Sequence, residues 1–308
     1  MKRQINLVVG FTPYQSLYAE SFIDSLVGDT YFFFTKREPK CKAKRIGFPG
    51  WPKISFIVYI FYLRFLFLRG VHINFYFPHA CHPATNYLVF SGKCKSLHVF
   101  EEGIANYHDA YREKWVVSKI KKNFLFFIGL PYHDYSGHIT GCDEVFFDSC
   151  ICSFPNNLVN LHRFKKVVFK KPIIEESVVC RNASKVLFLD QPLIMSISER
   201  EALNKKLSQA MSSYDQVFYK GHHDQNKPFG EFLMLSDAEM KIPAELLVAT
   251  IDFGVVVSFN SSALITIKSL FPEVECLSFP VPGQELLVRG RKIKFHDFLD
   301  AFIDKRYN

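Results

Sequence analysis

Short apolar runs with strand character alternate along this chain with stretches whose apolar residues recur at helical spacing. Ile5–Gly10 reads as a strand, Pro13–Leu26 as a helix and Thr30–Thr35 as a second strand. Further strands are expected at His72–Phe77, Ser96–Phe100 and Glu144–Asp148, with helices at Ala84–Phe90 and Glu113–Phe126. Such alternation predicts a parallel sheet covered on both faces, because parallel strands need a crossover connection and a helix supplies it. From Val167 to Ser184 the pattern dissolves into a polar, Pro-containing stretch, which reads as a linker. A second alternation then begins with a strand at Lys185–Leu189, a helix at Ser198–Met211 and a strand at Gln216–Tyr219. It continues with a helix at Pro243–Ala249, a strand at Val255–Ser258, a helix at Ser261–Leu270 and a strand at Glu275–Phe279. Ser198 and Glu201 have capping-box spacing for the first of these helices.

The resulting expectation is two successive doubly wound α/β domains, residues 1–170 and 184–308, with a cleft between them. A length of 308 residues suits two domains of ordinary size. At 48% hydrophobic and 22% charged, the chain has enough apolar material for two cores and is not a disordered one. The 15-residue run Ile54–Leu68 carries Arg64 and is too short to span a bilayer. It reads as a buried helix, with an interfacial helix flanked by Lys53, Arg64 and Arg69, or a homodimer contact, as the alternatives. Ile5–Phe11, interrupted by Asn6, is too short for a secretory signal and reads as the first strand.

Eight cysteines are scattered, and the close pair Cys150 and Cys152 has neither zinc-site nor thioredoxin spacing. They read as reduced core residues, which favours the cytoplasm. The net charge of +8 is less informative than its distribution. Lys119, Lys121 and Lys122 precede Phe124, Phe126 and Phe127, and Arg163, Lys165, Lys166, Lys170 and Lys171 form a second basic cluster. Basic residues interleaved with aromatics suit an anionic lipid surface, here the inner face of a bacterial membrane, or else make a solvated face. No helix-turn-helix, zinc-finger or RNA-recognition signature is present, so nucleic acid is not an expected partner.

In open α/β sheets ligands gather beyond the carboxyl ends of the strands. Four stretches occupy such positions. Glu101–Glu102–Gly103 follows the strand Ser96–Phe100. Adjacent carboxylates in a crevice repel, which raises the pKa of one and suits it to act as a base, or the pair is simply a polar turn. Lys220–Gly221–His222–His223 follows the strand Gln216–Tyr219 and has the makings of a phosphate-binding turn. A metal site at His222, His223 and Asp224 is disfavoured, since adjacent residues in an extended turn rarely converge on one ion. Ser261 and Ser262 open a helix, where hydroxyls cap it or leave N–H groups to a phosphate. Glu245 follows Pro243, expected at the first helical position, and either meets ribose hydroxyls or complements the helix dipole.

In order along the chain, an acidic pair with Gly, Lys-x-His, Pro-x-Glu and Ser-Ser resemble the motif succession of bacterial sialyltransferases. Phe11–Thr12–Pro13–Tyr14–Gln15 and Leu187–Phe188–Leu189–Asp190–Gln191–Pro192–Leu193 extend the likeness, most of all to the lipooligosaccharide sialyltransferases of glycosyltransferase family 52. Capsule polysialyltransferases share the acidic, His-Pro and Ser motifs. His223 stands where the family has Pro, and Asp190 where it often has Gly. The resemblance implies a GT-B architecture and transfer of sialic acid from CMP-sialic acid to a galactose-terminated oligosaccharide or glycolipid, with inversion. Glu101 or Glu102 would be the base and His222 the general acid. Ser261 and Ser262, with Lys220, Gly221 and His223, would hold the CMP phosphate, and Glu245 the ribose. Gly103, Thr12, Pro13, Tyr14 and Gln15 would line the cleft. No cofactor and no metal are implied in the chemical step, and no Asp-x-Asp motif is present. Polysialyl transfer, another nucleotide-sugar donor and a non-catalytic glycan- or membrane-binding module are the competing readings.

Overall fold

The computed structural model describes residues 3–303 and 305–306, except 49, 176, 179, 194, 222–231 and 282. The chain divides into two units, Met1–Ile173 with Val288–Gly290, and Ile174–Leu287 with Arg291–Asn308.

The first unit runs β1 (Gln4–Gly10), α1 (Pro13–Glu20), β2 (Asp29–Phe34), β3 (Lys44–Arg45), α2 (Pro52–Leu68), β4 (His72–Phe77), α3 (Pro83–Phe90) and β5 (Cys94–Phe100). It continues with β6 (Tyr111–Trp115), α4 (Lys119–Phe127), β7 (Tyr135–His138), β8 (Ser149–Cys152) and β9 (Val167–Phe169). Seven of these strands form one parallel sheet in the order β3-β2-β1-β4-β5-β8-β9. Strand periodicity sorts its aromatics onto two faces. Val8, Phe32, Phe34, Tyr76 and Phe100 cluster with Tyr18, Ala19 and Phe22 from α1 and its C-terminal side. Phe33 points the other way and stacks on Tyr59 of α2 at 4.5 Å. A polar ladder crosses the same sheet and pins its register. Asn74 donates to Asn6 at 2.9 Å, Ser96 donates to Asn74 at 2.9 Å, and His98 bridges Ser96 and Ser149 at 2.8 Å each. A one-residue slip would break every rung and turn the aromatics to the wrong face.

The second unit contains β10 (Asn182–Leu189), α5 (Ile197–Met211), β11 (Gln216–Lys220), β12 (Leu233–Met234), α6 (Asp237–Lys241), α7 (Ala244–Thr250), β13 (Phe253–Ser258), α8 (Ala263–Leu270) and β14 (Glu275–Ser278). The hairpin strands β15 (Glu285–Val288, whose last residue groups with the first unit) and β16 (Arg291–Lys294), then α9 (Phe295–Leu299) and β17 (Lys305–Arg306), complete it. Its parallel sheet has the order β12-β11-β10-β13-β14-β17. Leu203, Leu207 and Met211 recur every four residues along α5 and bury one helix face against Val186, Phe188, Val255 and Val257.

Several boundaries differ from the sequence reading. Glu113–Trp115 lies in β6, paired antiparallel with β7, and the helix begins only at Lys119, where Ser118 caps it. Glu144–Asp148 is largely turn and bend; the strand is the next segment, Ser149–Cys152, fully buried and continuously apolar or small. Val167–Phe169 belongs to the sheet edge, not to a linker, because its backbone pairs with β8. The box capping α5 is Ser196 with Glu199, two residues earlier than expected; the same spacing recurs in this Ser- and Glu-rich stretch. Pro243 is the N-cap residue of α7, in extended conformation, and the helix starts at Ala244. α2 is buried along one side only: Tyr59 and Leu63 are fully enclosed, whereas Phe61 is 65% and Leu68 88% exposed. Cys142, Cys150, Cys152 and Cys276 are buried as expected, but Cys180 is exposed; none of the eight is in a disulfide.

Candidate active site

In the first sheet the chain reverses its winding between β1 and β4, and the crevice beyond the carboxyl ends of those strands is where such folds take ligands. Phe11 follows β1, His79 and His82 follow β4, and Glu101–Gly103 follows β5 next door. Phe11 stacks on His82 at 3.8 Å and tilts over His79 at 5.2 Å. These segments meet at one corner of the unit. Gly103 makes the turn there at φ 108°, a conformation open to Gly and costly for other residues, and Asn106 anchors it by accepting from the Glu102 N–H at 2.8 Å.

The two carboxylates at that turn are not equivalent. Glu101 is 2% exposed and its carboxylate is fully engaged. Tyr14 donates to Oε1 at 2.6 Å, the Ser153 N–H donates to Oε2 at 2.6 Å, and the Tyr107 hydroxyl donates to Oε2 as well. Burial still outweighs these donors, so its pKa is raised. Glu101 thereby ties α1, the 3-10 turn at Ile104–Asn106 and the end of β8 together. Glu102 has no such cage. Its Oε2 has no hydrogen-bond partner among the described residues, its side chain is 20% exposed, and burial pushes its pKa up to about 8. Beside it stands His79, with Nε2 3.8 Å from Glu102 Oε1. Burial lowers His79 to about 4, so it is neutral near pH 7 and offers no positive charge to favour the ionised carboxylate.

Thr12, Pro13 and Gln15 serve the start of α1. Thr12 Oγ1 accepts from the Gln15 N–H at 3.2 Å, Gln15 Oε1 accepts from the Thr12 N–H at 3.2 Å and the Phe11 N–H at 2.6 Å, and Pro13 stands at the first helical position. Gln15 Nε2 is buried without a hydrogen-bond partner among the described residues. Sequence reasoning passed over His79, Cys81 and His82. Their signal was present: Phe77–Pro78–His79–Ala80–Cys81–His82–Pro83 leaves a central strand at its carboxyl end.

In the second unit the winding reverses between β10 and β13. Lys220 ends β11, and its Nζ donates to the Met240 carbonyl at 2.8 Å. Burial lowers its pKa to about 8, with Glu245 opposing that shift. Glu245, 4% exposed in the first turn of α7, is raised by burial to about 7. The two groups are thus electrostatic neighbours, both poised close to neutrality. Gly221 is partly exposed at the strand end. His222 and His223 lie outside the described residues. Ser261 is 7% exposed and its Oγ accepts from the Ala263 N–H at 3.2 Å. Ser262 is the N-cap residue of α8 but makes no capping hydrogen bond. Beside them, Asp190 is consumed structurally: its carboxylate accepts from Arg200 at 2.7 Å, Tyr219 at 2.9 Å and the Gln191 N–H at 2.8 Å. The structure thus gathers Tyr14, Glu101, Glu102 and Gly103 in one unit, and Lys220 with Glu245 in the other. No cluster of three metal-ligating side chains occurs among the described residues.

The chain is similar in structure to the glycotransferase of kitacinnamycin, with a TM-score of 0.50, 11% identity, and coverage of 100% of this chain and 86% of that one. It is also similar to S. aureus MnaA with UDP (TM-score 0.49, 9% identity, 97% and 87% covered) and to the spinosyn rhamnosyltransferase SpnG with thymidine diphosphate (0.42, 9%, 97% and 84%). The first of these likenesses supports a GT-B type fold for two successive parallel α/β units. No curated protein matches the chain. The model of the family alpha-2,8-polysialyltransferase (POLYST) matches residues 71–278, which take in Glu101–Gly103, Lys220–His223, Glu245 and Ser261–Ser262. With about two thirds of its length matched, from β4 through β14, the chain belongs to the alpha-2,8-polysialyltransferase family.

Proposed function

We propose that this chain is an inverting sialyltransferase that moves sialic acid from CMP-sialic acid to a sugar hydroxyl of a lipid-linked or surface oligosaccharide. The observation that carries this reading is the division of labour in the acidic pair. Glu101 is committed to holding the corner together, while Glu102 keeps one oxygen unpaired among the described residues and a pKa of about 8. In the reaction Glu102 takes the proton of the acceptor hydroxyl as that oxygen bonds to the anomeric carbon. The bond from that carbon to the phosphate oxygen breaks, and its electron pair leaves with CMP. His222 protonates or hydrogen-bonds the departing phosphate. Ser261 and Ser262 hold its oxygens, with Lys220, Gly221 and His223 around it, and Glu245 accepts from the ribose hydroxyls. Thr12, Pro13, Tyr14 and Gln15 belong to the acceptor side. As the sialyltransferase resemblance implies, no metal takes part in the chemical step.

The acceptor has two readings. Galactose-terminated saccharides fit the resemblance to lipooligosaccharide sialyltransferases; the family match over residues 71–278 favours an acceptor that already ends in sialic acid. Donor hydrolysis with CMP-, UDP- and GDP-sugars tests the core of the proposal. Consumption of CMP-sialic acid alone is expected, and turnover of a UDP- or GDP-sugar in its place would overturn it. Transfer assays with the two acceptor classes then separate the readings. CMP is also expected to raise the unfolding temperature, since a ligand at a hundred times its Kd adds about 2.7 kcal/mol of stability.

A further inference from the structure

Both long sides of α2 are apolar, and only one of them meets the core. Ile57, Phe61, Phe65 and Leu68 recur at spacings of four, four and three, so they form a single stripe, and they are 51%, 65%, 47% and 88% exposed. α4 carries a second stripe: Ile120, Phe124 and Phe127, at spacings of four and three, are 85%, 55% and 86% exposed. A side chain of α2 reaches the segment that ends α4. Arg64, on the exposed side of α2, lays its guanidinium over Gly129 just beyond α4, so closely that a Cβ there would collide with Nη2. Gly129 also has φ +77°, so that contact is open to glycine and strained for other residues.

Basic residues predominate on these two helices, although Lys122 of α4 is paired with Asp134 just beyond it. Neither α2 nor α4 contains an acidic residue, whereas Lys53, Arg64 and Lys119 lie on them, and Arg69 follows α2 with its guanidinium 4.3 Å from the Phe65 ring. Apolar surface on this scale marks an interaction site rather than ordinary exposure.

We propose that α2 and α4 together form a docking face that seats this chain on an anionic bilayer, with the apolar stripes in the acyl boundary and the cations among the headgroup phosphates. The argument from charge decides the occupant. A second copy of the chain would bring the same cations to the contact, and a polyanionic glycan would satisfy the cations but leave the Phe, Ile and Leu side chains in water. A helix lying in the plane of an anionic interface satisfies both. Spanning is not required: α2 has 17 residues, and no helix among the described residues is long and apolar enough to cross a membrane. The face also borders the candidate acceptor corner. Tyr132, shortly after α4, donates to the Cys81 carbonyl at 3.0 Å, beside His79 and His82. The inference does not rest on the sialyl-transfer reading.

Vesicle flotation tests it with the full-length chain, using phosphatidylglycerol–phosphatidylcholine vesicles against phosphatidylcholine alone. Wild type is expected to float with the anionic vesicles and to be released by high salt. The double variant Leu68→Ser/Phe127→Ser and the double variant Arg69→Glu/Lys119→Glu are each expected to lower the partition coefficient at least about tenfold. All four side chains are on the surface, so far-UV circular dichroism and unfolding temperature should stay at wild-type values. Three results would overturn the proposal: wild type that fails to float, a Leu68→Ser/Phe127→Ser variant that floats like wild type, or a dimer in sedimentation velocity that this variant dissolves.

Discussion

Glu102→Gln is expected to lower turnover of CMP-sialic acid by at least about a hundredfold, the usual scale for losing a general base. The same substitution should raise the unfolding temperature. The carboxyl has a folded pKa of about 8 against an ordinary value of 4.5, so folding disfavours its ionised form. Stability linked to this group is full below about pH 4.5 and is lost as pH rises through about 8. Gln removes that penalty, so the difference in Tm between variant and wild type should widen between pH 5 and 8, to at least about 2–4 °C. Glu101→Gln should behave in the opposite way. It turns an NH2 group toward donors that now meet a carboxylate, at a cost of about 1–3 kcal/mol, and Tm should fall. For the wild type, kcat/KM should climb with pH toward a midpoint near 8. Full activity in Glu102→Gln, or a flat profile from pH 6 to 9, would remove Glu102 from the role of base.

Asp190→Ala is expected to cost about 3–5 kcal/mol of stability, the range for stripping one partner from a buried ion pair. The Asp190 side chain is 1% exposed and Arg200 is 20% exposed. One carboxylate accepts from Arg200, from the Tyr219 hydroxyl and from the Gln191 N–H, linking β10, α5 and β11. Arg200 then lies 5.1 Å from the Phe259 ring at the end of β13, so the pair also braces the segment leading to Ser261 and Ser262. In urea the midpoint should drop with little change in slope, because the surface exposed on unfolding stays the same. Asp190→Asn keeps the shape and an acceptor, and should recover part of the loss. A variant within about 1 kcal/mol of wild type would show that Asp190 is not the brace described here, since surface substitutions stay near that range.

The alternation of apolar strands and helices determined much by itself. It placed β1, β2, β4, β5 and β10 within a few residues, because a central parallel strand is apolar on both faces and leaves an unbroken run. It also placed the acidic turn, Lys220, Glu245 and the Ser pair at strand ends or helix starts, since one rule of parallel sheets governs where such groups gather. It failed where long-range pairing outweighs local preference. Tyr111–Trp115 is a strand because β7 pairs with it, and Val167–Phe169 because β8 offers an edge; neither partner is visible to a local pattern. Nor could sequence adjacency distinguish Glu101 from Glu102. Tyr14, Tyr107 and Ser153 come from positions 87, 6 and 52 residues away and all choose Glu101. Hydrophobic patterning is local and survives in one dimension, whereas which carboxylate is satisfied and which is left unpaired depends on donors that only the tertiary fold delivers.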